Sequence, residues 1–223
     1  MKKKLLAGLA IGVLVATYIE VAQASVVSWT DWTSASTSTV SGTLTVGSNT
    51  VGVTYSGPYS FAQINGSGFN YWSTNSAIYT GGVVGNGPPD SDIIALNAGG
   101  SKTITFSQAV QNPILALVSW NGNIVDFGVP ITILNYGQGY WGNGTPIPNQ
   151  NSTGFTGVGE VHGVIELLGT YSSITFTDTS ENWHGLTVGA VGLPSNSVPE
   201  PATMLLFGTG LAGLAGLRIR RNK

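Results

Sequence analysis

The sequence predicts an all-β body, an antiparallel β-sandwich of jelly-roll-like form. Three observations predict it. Between Ser25 and Val198 there is no helical period, and the usual exposed helix formers are scarce. Short apolar runs with period-two alternation recur through the same stretch. Turn clusters separate them, at Ser56-Gly-Pro, Asn65-Gly-Ser-Gly, Gly85-Asn-Gly-Pro-Pro, Asn97-Ala-Gly-Gly and Asn121-Gly-Asn. A closed barrel or a β-solenoid is the alternative; the lack of a strict repeat period counts against the solenoid.

The chain opens with a segment that does not belong to the body. Residues 1–24 have the three parts of a secretory signal peptide: a basic start at Lys2, Lys3 and Lys4, an apolar run from Leu5 to Ala16, and a small-x-small cleavage site formed by Ala22 and Ala24. Cleavage there leaves Ser25 as the mature N-terminus. Residues 25–193 are the body, long enough to bury a core without disulfides, and the chain has no cysteine. Thr33 to Ser41 is Ser/Thr-rich and reads as a loose lead-in.

Strands follow in order. Ser41 to Val46 places Leu44 and Val46 on one face, and Thr50 to Tyr55 places Val51, Val53 and Tyr55 together. Lys102 to Phe106 turns Ile104 and Phe106 inward. Ile114 to Val118 is apolar throughout and reads as a central strand buried on both faces. Val129 to Leu134 reads as an edge strand or strand start, because Pro130 cannot donate to a ladder. Glu160 to Leu168 alternates, and Ser173 to Thr177 and Leu186 to Val191 complete the set.

Charge excludes one class of partner. Seven of the eight Lys and Arg residues lie in the terminal segments. The body keeps Lys102 against eight carboxylates, a formal charge of −7. A nucleic-acid partner is excluded, since nothing would neutralise its phosphates. Thiol catalysis and thiolate metal sites fall with the absence of cysteine. All six tryptophans lie in the body, which argues for a packed domain rather than a disordered chain.

Candidate sites are few. On a strand, Glu160, His162 and Glu166 share one face, which could bind a metal or pair a base with an acid; nothing in the spacing demands a metal, and a solvated sheet face is the expected reading. His184, in Glu181-Asn-Trp-His, has no Gly-x-Ser-x-Gly elbow anywhere to serve, so no serine-hydrolase site is expected. Asp90 and Asp92 supply two of the six or more oxygens that a calcium site needs. No catalytic residue, cofactor motif or other metal site is expected. Several aromatics sit beside turns, and Trp72 and Trp141 are the candidates for stacking on a neutral sugar.

The chain ends with a second non-body segment. Residues 194–198 are a polar linker, and residues 199–223 run from Pro199-Glu200-Pro201 through an apolar stretch, 202–217, to a basic cluster, 218–223. At a helical rise the stretch spans about 24 Å, slightly under a hydrocarbon core. Arg218, Arg220 and Arg221 form a cytoplasmic membrane stop. Both ends therefore place the body outside the membrane.

In motif, helix and basic end, in that order, this terminus resembles the PEP-CTERM sorting signal of Gram-negative bacteria. The resemblance implies that Pro199, Glu200 and Pro201 are read by an exosortase, a membrane protease that removes the tail. The body also resembles, more loosely, bodies of this group, through Asn112-Pro-Ile-Leu-Ala-Leu-Val-Ser, Glu160-Val-His-Gly-Val-Ile-Glu and Glu181-Asn-Trp-His-Gly-Leu-Thr-Val-Gly. Together these imply a non-enzymatic surface or matrix protein associated with exopolysaccharide and biofilm. Its partners would be signal peptidase and exosortase during export, the membrane through the tail, and extracellular polysaccharide. The alternatives are a secreted carbohydrate-active enzyme and a permanently anchored surface protein.

Overall fold

Fifteen strands, numbered in chain order, form two antiparallel sheets in a computed structural model that describes residues 24–194. The seven-stranded sheet runs β10 (Ile131–Gly137), β13 (Val161–Leu167), β8 (Ile114–Trp120), β15 (His184–Ala190), β6 (Ile93–Leu96), β5 (Phe61–Gln63), with β1 (Ser28–Trp29) also on β15. The eight-stranded sheet runs β11 (Gly144–Pro148), β12 (Gly154–Gly159), β9 (Ile124–Asp126), β14 (Thr170–Asp178), β7 (Gly100–Gln111), β4 (Asn49–Ser56), β3 (Thr39–Val46), β2 (Asp31–Ala35).

Alternation builds the larger sheet. In β4, Val51, Val53 and Tyr55 are buried, and in β7 Lys102, Ile104 and Phe106 are. Their neighbours face outward, as the pleat requires. These side chains meet Leu115, Leu117, Leu186 and Val188 of the smaller sheet in one core that includes Trp32 and Trp120.

The smaller sheet is different. Strands β6, β8, β13 and β15 are buried at every residue. One face lies in the inter-sheet core. The other lies under Val27, Trp29 and a long excursion between β5 and β6, which contributes Trp72, Ile78, Tyr79 and Val84. A short 3-10 helix, Ser73–Tyr79, forms part of this cover. The apolar run at Ile114–Val118 is thus explained: both faces need side chains that do not require water.

Two expectations are corrected. Thr33 to Ser41 is not a lead-in, since β2 pairs with β3 across it, with a bulge between Trp32 and Ser34. The polar face of β13 is not solvated. His162 and Glu166 are buried there beside Val164, because the excursion covers that face. Among the described residues no helix is long and apolar enough to cross a membrane. The signal-peptide segment up to residue 23 and the tail from residue 195 lie outside the described residues.

Close approach at the end of β8 depends on glycine. A Cβ on Gly157 would stand 1.9 Å from the Trp120 carbonyl oxygen. Gly157→Ala is expected to push β12 off the end of β8, at a cost of about 1–3 kcal/mol or more. Chemical denaturation checks it: the midpoint should fall with no change in the slope.

Candidate functional site

One polar cavity of 370 Å³ opens where the ends of β8, β13 and β15 meet. Its floor is Ser119, Asn121 and Glu160; Glu181, Trp141 and Trp183 form its walls. Four separated parts of the chain supply these groups: the end of β8, the turn at Trp141, the start of β13 and the approach to β15.

Ser119 sits at a bulge in β8. Val161 pairs with Trp120 while Gly163 pairs with Leu117, so two residues of β8 oppose one of β13. Ser119 takes a left-handed conformation there, φ 59°, a strained state for a residue with a side chain. The turn aims its hydroxyl at Glu160 Oε2. Asn121 then ties the two carboxylates together. Its side-chain Nδ2 donates to Glu160 Oε1 at 2.8 Å, and its backbone N donates to Glu181 Oε1 at 3.1 Å.

Trp141 arrives on the turn Gly139-Tyr-Trp-Gly142, closed by a hydrogen bond from Gly139 N to Gly142 O at 2.8 Å. The two glycines have different reasons. A Cβ on Gly139 would lie 2.3 Å from the His162 ring, whereas Gly142 has room for one beside Glu160 but takes a φ of 137° that L side chains rarely adopt. The turn therefore lies on His162 and beside Glu160, which delivers Trp141 to the cavity mouth.

A ridge of rings continues from the mouth. Trp141 meets Trp183 at 6.2 Å between centroids and Tyr140 at 4.8 Å; Tyr140 meets Phe69 at 4.8 Å. Tyr71 packs between Tyr140 and Trp183. Trp141 is 51% exposed and Phe69 49%, unusual for rings of this size. Phe69 is fixed by Gln63, whose amide exchanges two hydrogen bonds with its backbone, at 2.9 and 3.0 Å.

Behind the cavity a chain of charges runs into the core. Glu181 Oε2 lies 3.1 Å from His184 Nδ1, a charge contact without aligned hydrogen-bond geometry. His184 Nε2 lies 2.9 Å from Asp178 Oδ2, and Asp178 Oδ1 accepts from Lys102 Nζ. The ammonium also donates to the carbonyl of Ala98 at 2.7 Å. The side chains of Lys102, Asp178 and His184 are shut off from water. Burial alone would pull the His184 imidazole down; the hydrogen bond to Asp178 and the charges of Asp178 and Glu181 outweigh it and hold the group above its ordinary value. His162 has no such partner. Its Nε2 is unpaired, and burial lowers it to about 4 against the opposing pull of Glu160.

The sequence candidates fare unevenly. Trp141 lies at the cavity mouth. Trp72 is a correction: it is 1% exposed, its Nε1 donates to the Asp92 carbonyl and its ring packs on Tyr79, so it offers no face to a ligand. Asp92 is a second correction as a calcium ligand. Its carboxylate accepts from Trp32 N and Gly66 N, both at 2.7 Å, and so pins β2 and a turn instead. Asp90 is exposed, and among the described residues no group of three or more His, Cys, Asp or Glu is placed to hold a metal ion. Glu166 is buried on β13, away from the cavity, and burial raises its carboxyl. Ala24 is exposed at the start of the described residues, while Ala22, Pro199, Glu200, Pro201, Arg218, Arg220 and Arg221 lie outside them.

Ser119, Asn121 and Glu181 were not singled out by the sequence. Their one local signal is position: each stands where a strand meets a polar turn.

Comparison with known families speaks to the other end of the chain. Residues 197–221 match the family model described as the PEP-CTERM protein-sorting motif. This chain carries a PEP-CTERM sorting motif. The PEP-CTERM motif marks the protein for export, with an exosortase as its processing partner. No curated protein and no solved structure matches the chain.

The two histidines set opposite pH limits on the fold. Between about 4 and the ordinary value of 6.5, the unfolded chain takes up a proton at residue 162 that the folded chain refuses, so stability falls on acidification. Above 6.5 the folded chain keeps a proton on His184 that the unfolded chain loses, so stability falls as pH rises through the raised value. Denaturant midpoints measured against pH should peak near neutrality. His162→Leu should flatten the acid limb, where Glu166 acts in the opposite sense, and His184→Asn the alkaline limb. An alkaline limb unchanged in His184→Asn would disprove the assignment.

Proposed function

We propose that this protein is an exosortase-processed component of the cell surface or extracellular matrix whose body binds exopolysaccharide without cleaving it. One observation carries the reading: a polar cavity with two carboxylates and an asparagine opens directly onto an exposed ridge of aromatic rings. Sugar rings present apolar C–H faces and polar edges, and they need flat rings beside planar hydrogen-bonding groups. The cavity supplies both within one surface. The sorting motif supports the setting, since a protein exported and handled by exosortase meets polysaccharide outside the cell. Association with biofilm follows from the same setting.

On this reading residues 1–24 are removed by signal peptidase, and the stretch 202–217 spans the membrane until the exosortase acts at Pro199 to Pro201. The jelly-roll-like form of the sandwich is supported by its winding, because β7, β8, β9 and β10 fall alternately in the two sheets.

A carbohydrate-active enzyme is the second reading, favoured by the meeting of Glu160 and Glu181 in one cavity. Glycoside cleavage needs one carboxyl free to protonate the leaving group. Here three of the four oxygens accept hydrogen bonds and the fourth faces His184. That favours binding over catalysis.

Affinity electrophoresis of the full chain through gels cast with different polysaccharides tests the binding. At least one polymer should retard the protein, and Trp141→Ala should weaken that retention about tenfold. A protein retarded by no polymer would remove the reading. Mass spectrometry of the surface form tests the processing. Loss of the peptide Leu205 to Leu217 is expected; its recovery intact would favour a permanent anchor instead.

A further inference from the structure

We propose that the Glu160–Glu181 cavity selects sugars carrying a free, protonated amine, so that the ligand of the body is a hexosamine polymer lacking its N-acetyl groups. This rests on the polysaccharide reading above and names the class of polymer.

Charge at the site leads to it. Asn121 holds the two carboxylates on either side of one opening; Glu181 Oε2 is buried against His184, while the two Glu160 oxygens and Glu181 Oε1 each accept one hydrogen bond and keep a further lone pair. No cation answers them from the protein side of the opening. Lys102 is the one Lys or Arg among the described residues, and its ammonium is spent on Asp178 and two carbonyls. His184 lies behind Glu181 and is shared with Asp178. Counting Lys102 and a protonated His184 against Asp178, Glu181 and Glu160, the connected set still carries a net negative charge.

Three ligand classes can then be ranked. A uronate or sulfated polymer would bring a third anion into a cavity that already holds two, with no counter-ion among the described residues. Its binding is opposed by like charge. A neutral polymer can donate hydroxyls but displaces water while leaving the net negative charge of the set unanswered, which is costly. A sugar ammonium supplies three donors and the missing charge at once. The walls favour it too, because the faces of Trp141 and Trp183 attract a cation as well as stacking on a ring. The ridge argues for a polymer over a small free amine: from Trp141 through Tyr140 to Phe69 the exposed rings extend well past the cavity.

The test is calorimetric titration of the full chain in detergent, in slightly acidic buffer, with β-1,4-linked hexamers of glucosamine, N-acetylglucosamine, glucose and a uronic acid. The glucosamine hexamer should bind at least about tenfold tighter than the acetylated and neutral ones, and the uronate least of all. High salt should narrow that gap. Glu160→Gln should narrow it as well, whereas Trp141→Ala should weaken the aminated and neutral hexamers together and leave the gap standing. Glu160→Gln is the decisive variant because Glu160, unlike Glu181, does not touch His184; a thermal melt confirms its fold. Equal affinity for the aminated, acetylated and neutral hexamers would overturn the amino-sugar assignment and leave the polysaccharide reading intact. Preference for the uronate would overturn it as well. Failure to bind any hexamer, together with no retention on any polysaccharide gel, would overturn both.

Discussion

Lys102 carries the only Lys or Arg charge in the body, and its side chain has no contact with water. An ammonium in that position must be matched by an anion and by carbonyl acceptors, or the fold loses several kcal/mol. Asp178, on the neighbouring β14, supplies the anion. Its second oxygen is then committed to His184 on the facing sheet, and His184 in turn meets Glu181. One buried charge thus dictates a sequence of partners that crosses the sandwich and surfaces at the cavity. Asn121 extends it to Glu160, and Ser119 terminates it. The geometry of the opening is set from inside, by side chains that water does not reach.

The second organising feature is the cover over the smaller sheet. A sheet buried on both faces needs a second layer, and here the excursion between β5 and β6 provides it. That same excursion carries Phe69 and Tyr71 to the aromatic ridge. Asn75 joins it to the turn that bears Trp141, through a hydrogen bond to Gln138 O at 3.0 Å. Core cover and aromatic ridge are therefore one piece of chain, with the apolar side chains turned down and the amphipathic rings left at the edge.

What the sequence revealed and what it hid divide along the same physical line. Strands such as β4 and β7 were legible because alternation is a local consequence of the pleat. Strand β8 was legible because double burial removes every polar residue from a short run. Ile93–Leu96 escaped notice, since four apolar residues give too little pattern. His162 and Glu166 looked solvated because a strand does not announce what will later fold over it. Trp72 and Trp141 both stand beside turns; only the path of the excursion separates a buried indole from an exposed one. The cavity was the least legible of all. Asn121 stands 39 residues from Glu160 and 60 from Glu181, and no local pattern encodes contacts over such spans. The sorting motif was the most legible, because its parts are contiguous and are read as sequence.

The solitary, enclosed lysine has a consequence beyond electrostatics. Trypsin-like proteases cut after Lys or Arg, and they need that residue on an accessible, extended segment. Between residues 24 and 194 the chain offers one such residue, held in β7 opposite Phe176 of β14, with its side chain pinned in the interior. The folded body therefore presents no substrate to that whole class of enzymes. For a domain that carries an export and sorting motif, durability comes from composition as much as from packing.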